Sequence, residues 1–213
     1  MINPVDLVAL IVVGGSAIAI TARNGHVVAL GLLIALAAAP LVATPLPQST
    51  TAAARILGAL LSAYLLWAVT RTGPVNSEGS AIGLVAELAA GAVAYIVGLQ
   101  ITPMDELIGP VSAQAAGLAI LVLAVVPLTS QDPFRLSLGV ILLTLAMSLF
   151  VAAWAGQTAP LLQLAITGTM VGVSASGSAL IARTRGLERE RRTERGDGRA
   201  REEFTPEPGE EQA

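Results

Sequence analysis

The chain has 213 residues, of which 54% are hydrophobic and 13% are charged, and its formal net charge is -3. With a mean hydropathy of +0.73, a chain of this size cannot bury its apolar surface in a water-soluble fold, so we expect an all-α integral membrane protein. The chain has no cysteine and a single histidine, which excludes thiolate chemistry and argues against a histidine-based metal or haem site. We expect no metal and no cofactor.

Hydropathy predicts seven transmembrane helices. The residues before the first apolar run lack the basic region of a signal peptide, so that run is expected to be a retained helix. Turn and breaker residues separate the spans. The predicted spans are 5–22, 26–43, 51–69, 79–99, 111–128, 134–155 and 159–181.

The arginines predict the orientation of these spans. The short loops that carry arginine alternate along the chain, so they lie on one side of the membrane together with the arginine-rich C-terminal tail. The other side is acidic, with Asp6, Asp105 and Glu106, and has only Arg55 as a basic residue. The loop arginines of the first side are Arg23, Arg71 and Arg135. The positive-inside rule then places the N-terminus outside and the C-terminus in the cytoplasm, in the inner (plasma) membrane.

The fourth predicted span contains Glu87, the acid placed deepest in an apolar run. A charged carboxylate there costs about 2.5–3.5 kcal/mol, so Glu87 should face protein or water and favour its neutral form. Gly83 and Gly91 lie one turn away on either side and allow a neighbouring helix to approach. Two interpretations stay open: a proton-relay or ion-coupling group, and a neutral acid that only bonds two helices together.

Few other residues offer chemistry. Gln114, one turn into the fifth span, is a candidate hydrogen-bond partner for another polar group in the membrane. Asp105 and Glu106 are adjacent, so their side chains diverge on a regular element. The serines of the spans have no general base nearby in the sequence. No catalytic site is therefore predicted, although the chain could still be a subunit of an enzyme complex. No feature indicates nucleic-acid binding.

The last predicted span has a face of small residues, and a charged tail follows it. Gly168, Gly172 and Ser176 recur every four residues, which indicates a smooth face that packs either on another subunit or within this chain. We divide the chain into a transmembrane domain, 1–182, and a charged cytoplasmic tail, 183–213. In the tail, alternating Glu and Arg favour a helical extension to residue 195, a break at 196–198, and disorder from Glu203 to Ala213.

Two short motifs resemble a known family. Arg23-Asn24 precedes one apolar helix rich in small residues, and the run from Asp132 to Gly139, which contains Arg135, precedes another. This pattern is similar to that of the small antiporter-like membrane subunits of the complex I and hydrogenase-4 group, of the subunit K or hydrogenase-4 component E type. The resemblance implies a helical fold with membrane glutamates in a proton path. Glu87 does not follow either motif, so this role passes to it only by analogy.

These observations leave three functional hypotheses. The first is a non-catalytic membrane subunit of a proton- or cation-translocating assembly, surrounded by lipid and other membrane subunits, with Glu87 as the relay. The second is a self-contained carrier or channel. The third is a structural or assembly protein in which Glu87 only packs. Carriers commonly have broken helices near mid-span. The prolines of this chain lie toward the helix ends, which argues against the second hypothesis.

The arginine distribution predicts the result of a topology experiment. Reporters fused after Glu211 and within 102–109 should report opposite compartments, with the first in the cytoplasm, because three predicted spans lie between the two positions. Alkaline phosphatase and fluorescent-protein fusions measure this directly. The same compartment for both reporters would contradict the orientation.

Overall fold

In lipid, backbone N–H and C=O groups have no water to bond, so each apolar run must satisfy them internally and folds as a helix. The computed structural model describes residues 3–22, 24–42, 49–70, 81–101, 109–130, 132–155 and 160–203, with the backbone alone at 49–51, 69–70, 81–84, 160 and 184–203. The prediction of an all-α membrane protein of about seven helices is confirmed. The helices are α1 Pro4–Thr21, α2 Gly25–Ala38, α3 Ser49–Thr70, α4 Ala81–Gln100, α5 Val111–Thr129, α6 Pro133–Ala155 and α7 Pro160–Glu203, and a 3₁₀ turn, Ala39–Val42, follows α2.

Five of these helices are long and apolar enough to cross a membrane within the described residues: α1, α2 with its 3₁₀ turn, α5, α6 and the first half of α7. The other two, α3 and α4, contribute the shorter apolar stretches Ala52–Ala68 and Val85–Gln100. The chain is therefore a multi-pass membrane protein whose surroundings are a lipid bilayer.

Six helices close into a circuit. In order around it, α1 packs on α2, α2 on α3, α3 on α7, α7 on α6, α6 on α5, and α5 on α1. The 3₁₀ turn after α2 contacts α6 across the circuit, and its residues Ala39, Pro40 and Val42 are buried. Helix α4 lies outside the circuit, since its extensive contacts among the described elements are with α5 alone.

The crossing of α1 and α2 depends on two glycines that face each other. A Cβ atom added at Gly15 would lie 2.8 Å from the carbonyl oxygen of Gly31, and one added at Gly31 would lie 2.7 Å from the carbonyl oxygen of Gly15. Both contacts are with backbone, which cannot rotate away. The two helices therefore touch backbone to backbone, as small residues allow in membranes.

Helix α7 continues further than the sequence predicted. Its backbone is helical through Gly196, Asp197 and Gly198 to Glu203, so the predicted break at 196–198 is wrong. A glycine inside a helix costs only about 1 kcal/mol relative to alanine, and the i,i+4 Glu–Arg spacing before it favours the helix. Apart from Glu203, the last residue of α7, the predicted disorder falls on 204–213, outside the described residues.

The small-residue face of α7 points away from the rest of the chain. A Cβ atom at Gly168 or Gly172 would meet no atom within 4 Å, and Ser176 is exposed. One of the two roles predicted for this face was packing within the chain. For Gly168 and Gly172 this prediction is wrong, because no described residue packs on them. Contact with another subunit stays a prediction.

The glycine crossing of α1 and α2 generates a matched test. Gly15→Ala should lower the free energy of unfolding by about 1–3 kcal/mol, because its methyl group overpacks against the backbone of α2. Gly14→Ala, where a Cβ meets no atom within 4 Å, should be neutral or stabilise by about 0.5–1 kcal/mol. Chemical unfolding in detergent micelles measures both. Equal effects of the two variants would show that the crossing is not close.

Candidate functional site

Glu87 lies on the helix that the rest of the bundle covers least. Most of α4 faces outward, with Val85 65% and Val93 59% exposed. Glu87 itself is half-buried, and within the described residues its carboxylate has no hydrogen bond or ion pair. Among the described residues, only α5 packs extensively on the helix that carries Glu87.

The face of α4 that carries Glu87 is nonetheless the one that meets α5. Glu87, Gly91, Tyr95 and Gly98 recur at helical spacing, and the two glycines are buried while the residues between are mostly exposed. Glu87 therefore lies at the edge of the α4–α5 contact.

Two glycines bring α4 and α5 together. A Cβ atom at Gly91 would lie 2.9 Å from the side chain of Leu123, and one at Gly98 would lie 2.6 Å from the Cα atom of Ala115. Gly91 thus allows the close approach of a neighbouring helix that the sequence predicted. Gly98, which the sequence analysis did not identify, allows a closer approach of α5. Gly83 lies in the first turn of α4, where the structure describes the backbone alone.

Gln114 is not a partner of Glu87. The pairs Gly91–Leu123 and Gly98–Ala115 show that α4 and α5 run antiparallel, which puts Gln114 near the far end of α4. At 1.5 Å per residue the two side chains are separated by about 17 Å along the bundle. The Oε1 atom of Gln114 is buried without a hydrogen-bond partner in the part of the chain that the structure describes.

The two motifs that carry the family resemblance are helix starts. The side chain of Asn24 accepts a hydrogen bond from the backbone N–H of His26 at 3.2 Å and caps α2. In the second motif, Asp132 accepts from the backbone N–H of Phe134 at 3.0 Å, and the half-buried Arg135 follows in the first turn of α6. Arg23 lies outside the described residues. Helix capping therefore explains Asn24 and Asp132.

An aromatic cluster lies beside the first of these helix starts. The indole Nε1 of Trp67 donates a hydrogen bond to Nδ1 of His26, and Tyr64 packs on Trp67 with ring centroids 5.8 Å apart. Aromatic side chains of this kind anchor helices at the membrane surface. His26 is thus held beside Trp67 at the start of α2.

The interior of the bundle holds a polar group of residues that the sequence analysis passed over. Helix α7 packs on α3 and on α6, and we call the polar side chains along these two contacts the polar seam. In the sequence, the polar seam is indicated only by Ser and Thr residues of α7 that are spaced seven and four residues apart. The seam consists of Arg55 and Ser62 on α3, Ser137 and Ser148 on α6, and Thr167, Ser174 and Ser178 on α7.

Contacts place the seam residues level with one another. A Cβ atom at Gly58 would meet the side chain of Thr167, and Ser178 Oγ donates to the carbonyl oxygen of Leu65 at 3.2 Å. Helices α3 and α7 are therefore parallel. On the other side of α7, Ser137 lies against Gly177. From Thr167 to Ser178 the seam extends about 16 Å along the bundle.

Arg55 lies at one end of the seam, beside a small cavity. The cavity has a volume of about 20 Å³ and is lined by α2 with its 3₁₀ turn, α3, α6 and α7. Arg55, Ser148 and Thr167 supply its polar lining, and Leu36, Pro40, Leu145 and Met170 are among its apolar lining. Two turns along α3, Ser62 is fully buried and its Oγ has no hydrogen-bond partner among the described residues.

These arrangements suit binding and packing more than bond-breaking chemistry. In the described residues, no group of three or more histidine and acidic side chains could hold a metal ion. The seam residues named above include no carboxylate and no imidazole to act as a general acid or base. Comparison of the chain with protein family models, with curated proteins and with solved structures finds no match.

The contact between α4 and α5 can be tested by enlarging one residue. Gly98→Leu should push α4 off α5, because the backbone at Ala115 cannot move aside, and amide hydrogen exchange across α4 should rise by about tenfold or more. Ala92→Leu, on the exposed face of α4, is the matched control and should leave exchange unchanged. Exchange that is equal in both variants would contradict this packing.

Proposed function

We propose that the chain is a non-catalytic membrane subunit of a proton- or cation-translocating assembly, similar to the small subunits of the complex I and hydrogenase-4 group. In this proposal Glu87 exchanges a proton where α4 meets another membrane subunit. The observation that carries it is the position of Glu87, half-buried on a helix outside the circuit and without a polar partner among the described residues.

The energetic cost of an acid in the membrane supports the presence of a second subunit beside Glu87. A carboxylate at this depth must face protein or water, since exposure to lipid costs about 2.5–3.5 kcal/mol. Within the described residues the chain offers α5 on one side only. A second subunit lying over α4 would complete the enclosure of Glu87 and would supply the group that passes or receives its proton.

The same geometry weighs against a self-contained cation carrier. In carriers the coupling-ion site lies centrally, between repeats at the membrane midplane. Here the acid is peripheral, while the interior polar seam ends at the cation Arg55, and a fixed positive charge in a pore disfavours protons and cations. A purely structural role for Glu87 is the remaining alternative, and substitution separates it from the relay.

The proposed neighbour can be captured through α4. The chain has no cysteine, so a photo-crosslinker attached to a single cysteine at Val93 reports on that position alone. We expect it to join a second membrane protein when the tagged chain is purified in mild detergent. The same probe at Leu7, an exposed position on α1, is the control. Crosslinks to lipid only, at both positions, would contradict the proposal.

Substitution of Glu87 tests the relay itself. Glu87→Gln keeps size and hydrogen bonding but cannot titrate, so it should leave the complex assembled and lower its proton translocation by more than about tenfold, while Glu87→Asp retains part of it. Asp6→Asn, the same change at the start of α1, should behave as wild type. Uptake is measured with a pH-sensitive dye in membrane vesicles. Full activity of Glu87→Gln would leave only the structural role.

A further inference from the structure

We propose that the cavity beside Arg55 is a binding site for a small monatomic anion of the halide class. The site is separate from Glu87, because α4 lies outside the helix circuit and the cavity lies between helices of the circuit. It is built from three polar side chains on three different helices: Arg55 on α3, Ser148 on α6 and Thr167 on α7.

Charge is the first argument. Arg55 lies about 9 Å from the start of α3, inside an apolar stretch, and it has no hydrogen bond or ion pair with any residue that the structure describes. Charged side chains at membrane depth are almost always paired. Neither Ser148 nor Thr167 can neutralise a guanidinium, so a negative ion in the adjoining cavity is the partner that this charge favours.

Size selects the kind of anion. A cavity of about 20 Å³ accepts one species of about the size of a water molecule. A halide ion is only slightly larger than water, whereas phosphate and sulfate carry four oxygens and do not fit. The apolar side chains of Leu36, Leu145 and Met170 line much of the rest of the cavity, and a weakly hydrated monovalent ion tolerates such walls best.

The two hydroxyl groups provide adjustable donors. Ser148 Oγ donates to the carbonyl oxygen of Leu145 at 2.7 Å, and Thr167 Oγ1 donates to that of Gln163 at 2.9 Å. A hydroxyl proton rotates freely to suit its acceptor. With an anion present, both hydroxyls can turn toward the cavity and add to the donors of Arg55, and with none present they return to their own helices.

Halide-dependent stability tests this site on the full-length chain in detergent. The thermal unfolding midpoint should rise with sodium chloride or bromide and saturate, whereas sodium gluconate at equal ionic strength should have no such effect. Arg55→Gln should abolish the saturable rise. Arg183→Gln, which removes an exposed arginine at the end of the seventh span, is the matched control and should retain it.

Two conservative variants keep the test valid if Arg55→Gln does not fold. Ser148→Ala and Thr167→Val preserve shape and should each weaken the apparent halide affinity by about tenfold, the usual effect of losing one hydrogen bond to a charge. An unfolding midpoint that is the same in chloride and gluconate would overturn the proposal. A saturable response to phosphate would overturn the size argument. Neither result bears on Glu87.

Discussion

The close approach of helix backbones is the constraint on which this structure depends. In lipid, burial of apolar side chains does not drive helices together, because lipid tails are as apolar as leucine, so association rests on packing and interhelical hydrogen bonds. Gly15 and Gly31 let α1 and α2 touch through their backbones, and Gly98 does the same for α4 on the backbone of α5. The closed circuit of six helices follows from contacts of this type, and so does the peripheral place of α4.

The peripheral helix and the polar interior divide the chemistry of the molecule in two. The acid lies outside the circuit and the arginine lies beside a cavity between the helices that form it, with the wall formed by α5 and α6 between them. The described structure does not bring the two charges into one site. This separation is why we assign Glu87 to a contact with another protein and Arg55 to a ligand of its own.

Much of the fold could be predicted from the sequence, because hydropathy and breaker residues act locally. The predicted start of each span lies within two residues of the observed start of its helix. The neighbours of each helix could not be predicted in this way. The sequence predicted that Glu87 faces protein or water, yet which helices lie beside α4 is decided by contacts far apart in sequence.

The candidate site shows the same limit. In the sequence, Arg55 contributed only to the charge balance that predicts the orientation. The structure places Thr167 and Ser148, from two distant helices, beside it at the same cavity. The break expected at Gly196 rested on helix propensity, which is a weak constraint for single glycines. Asn24 and Asp132 looked like family signatures and are also ordinary helix caps.

The pairing of α3 with α7 also has a consequence for biosynthesis. Arg55 and Ser62 leave the ribosome more than 100 residues before Thr167 and Ser174, and at typical translation speeds this interval is roughly 5–20 s. Of the two helices that pack extensively on α3, only α2 has been made by that time, because α7 is the last. Until the seventh span is inserted and closes the circuit, the face of α3 that carries Arg55 lacks the helix with which it makes most of its contacts.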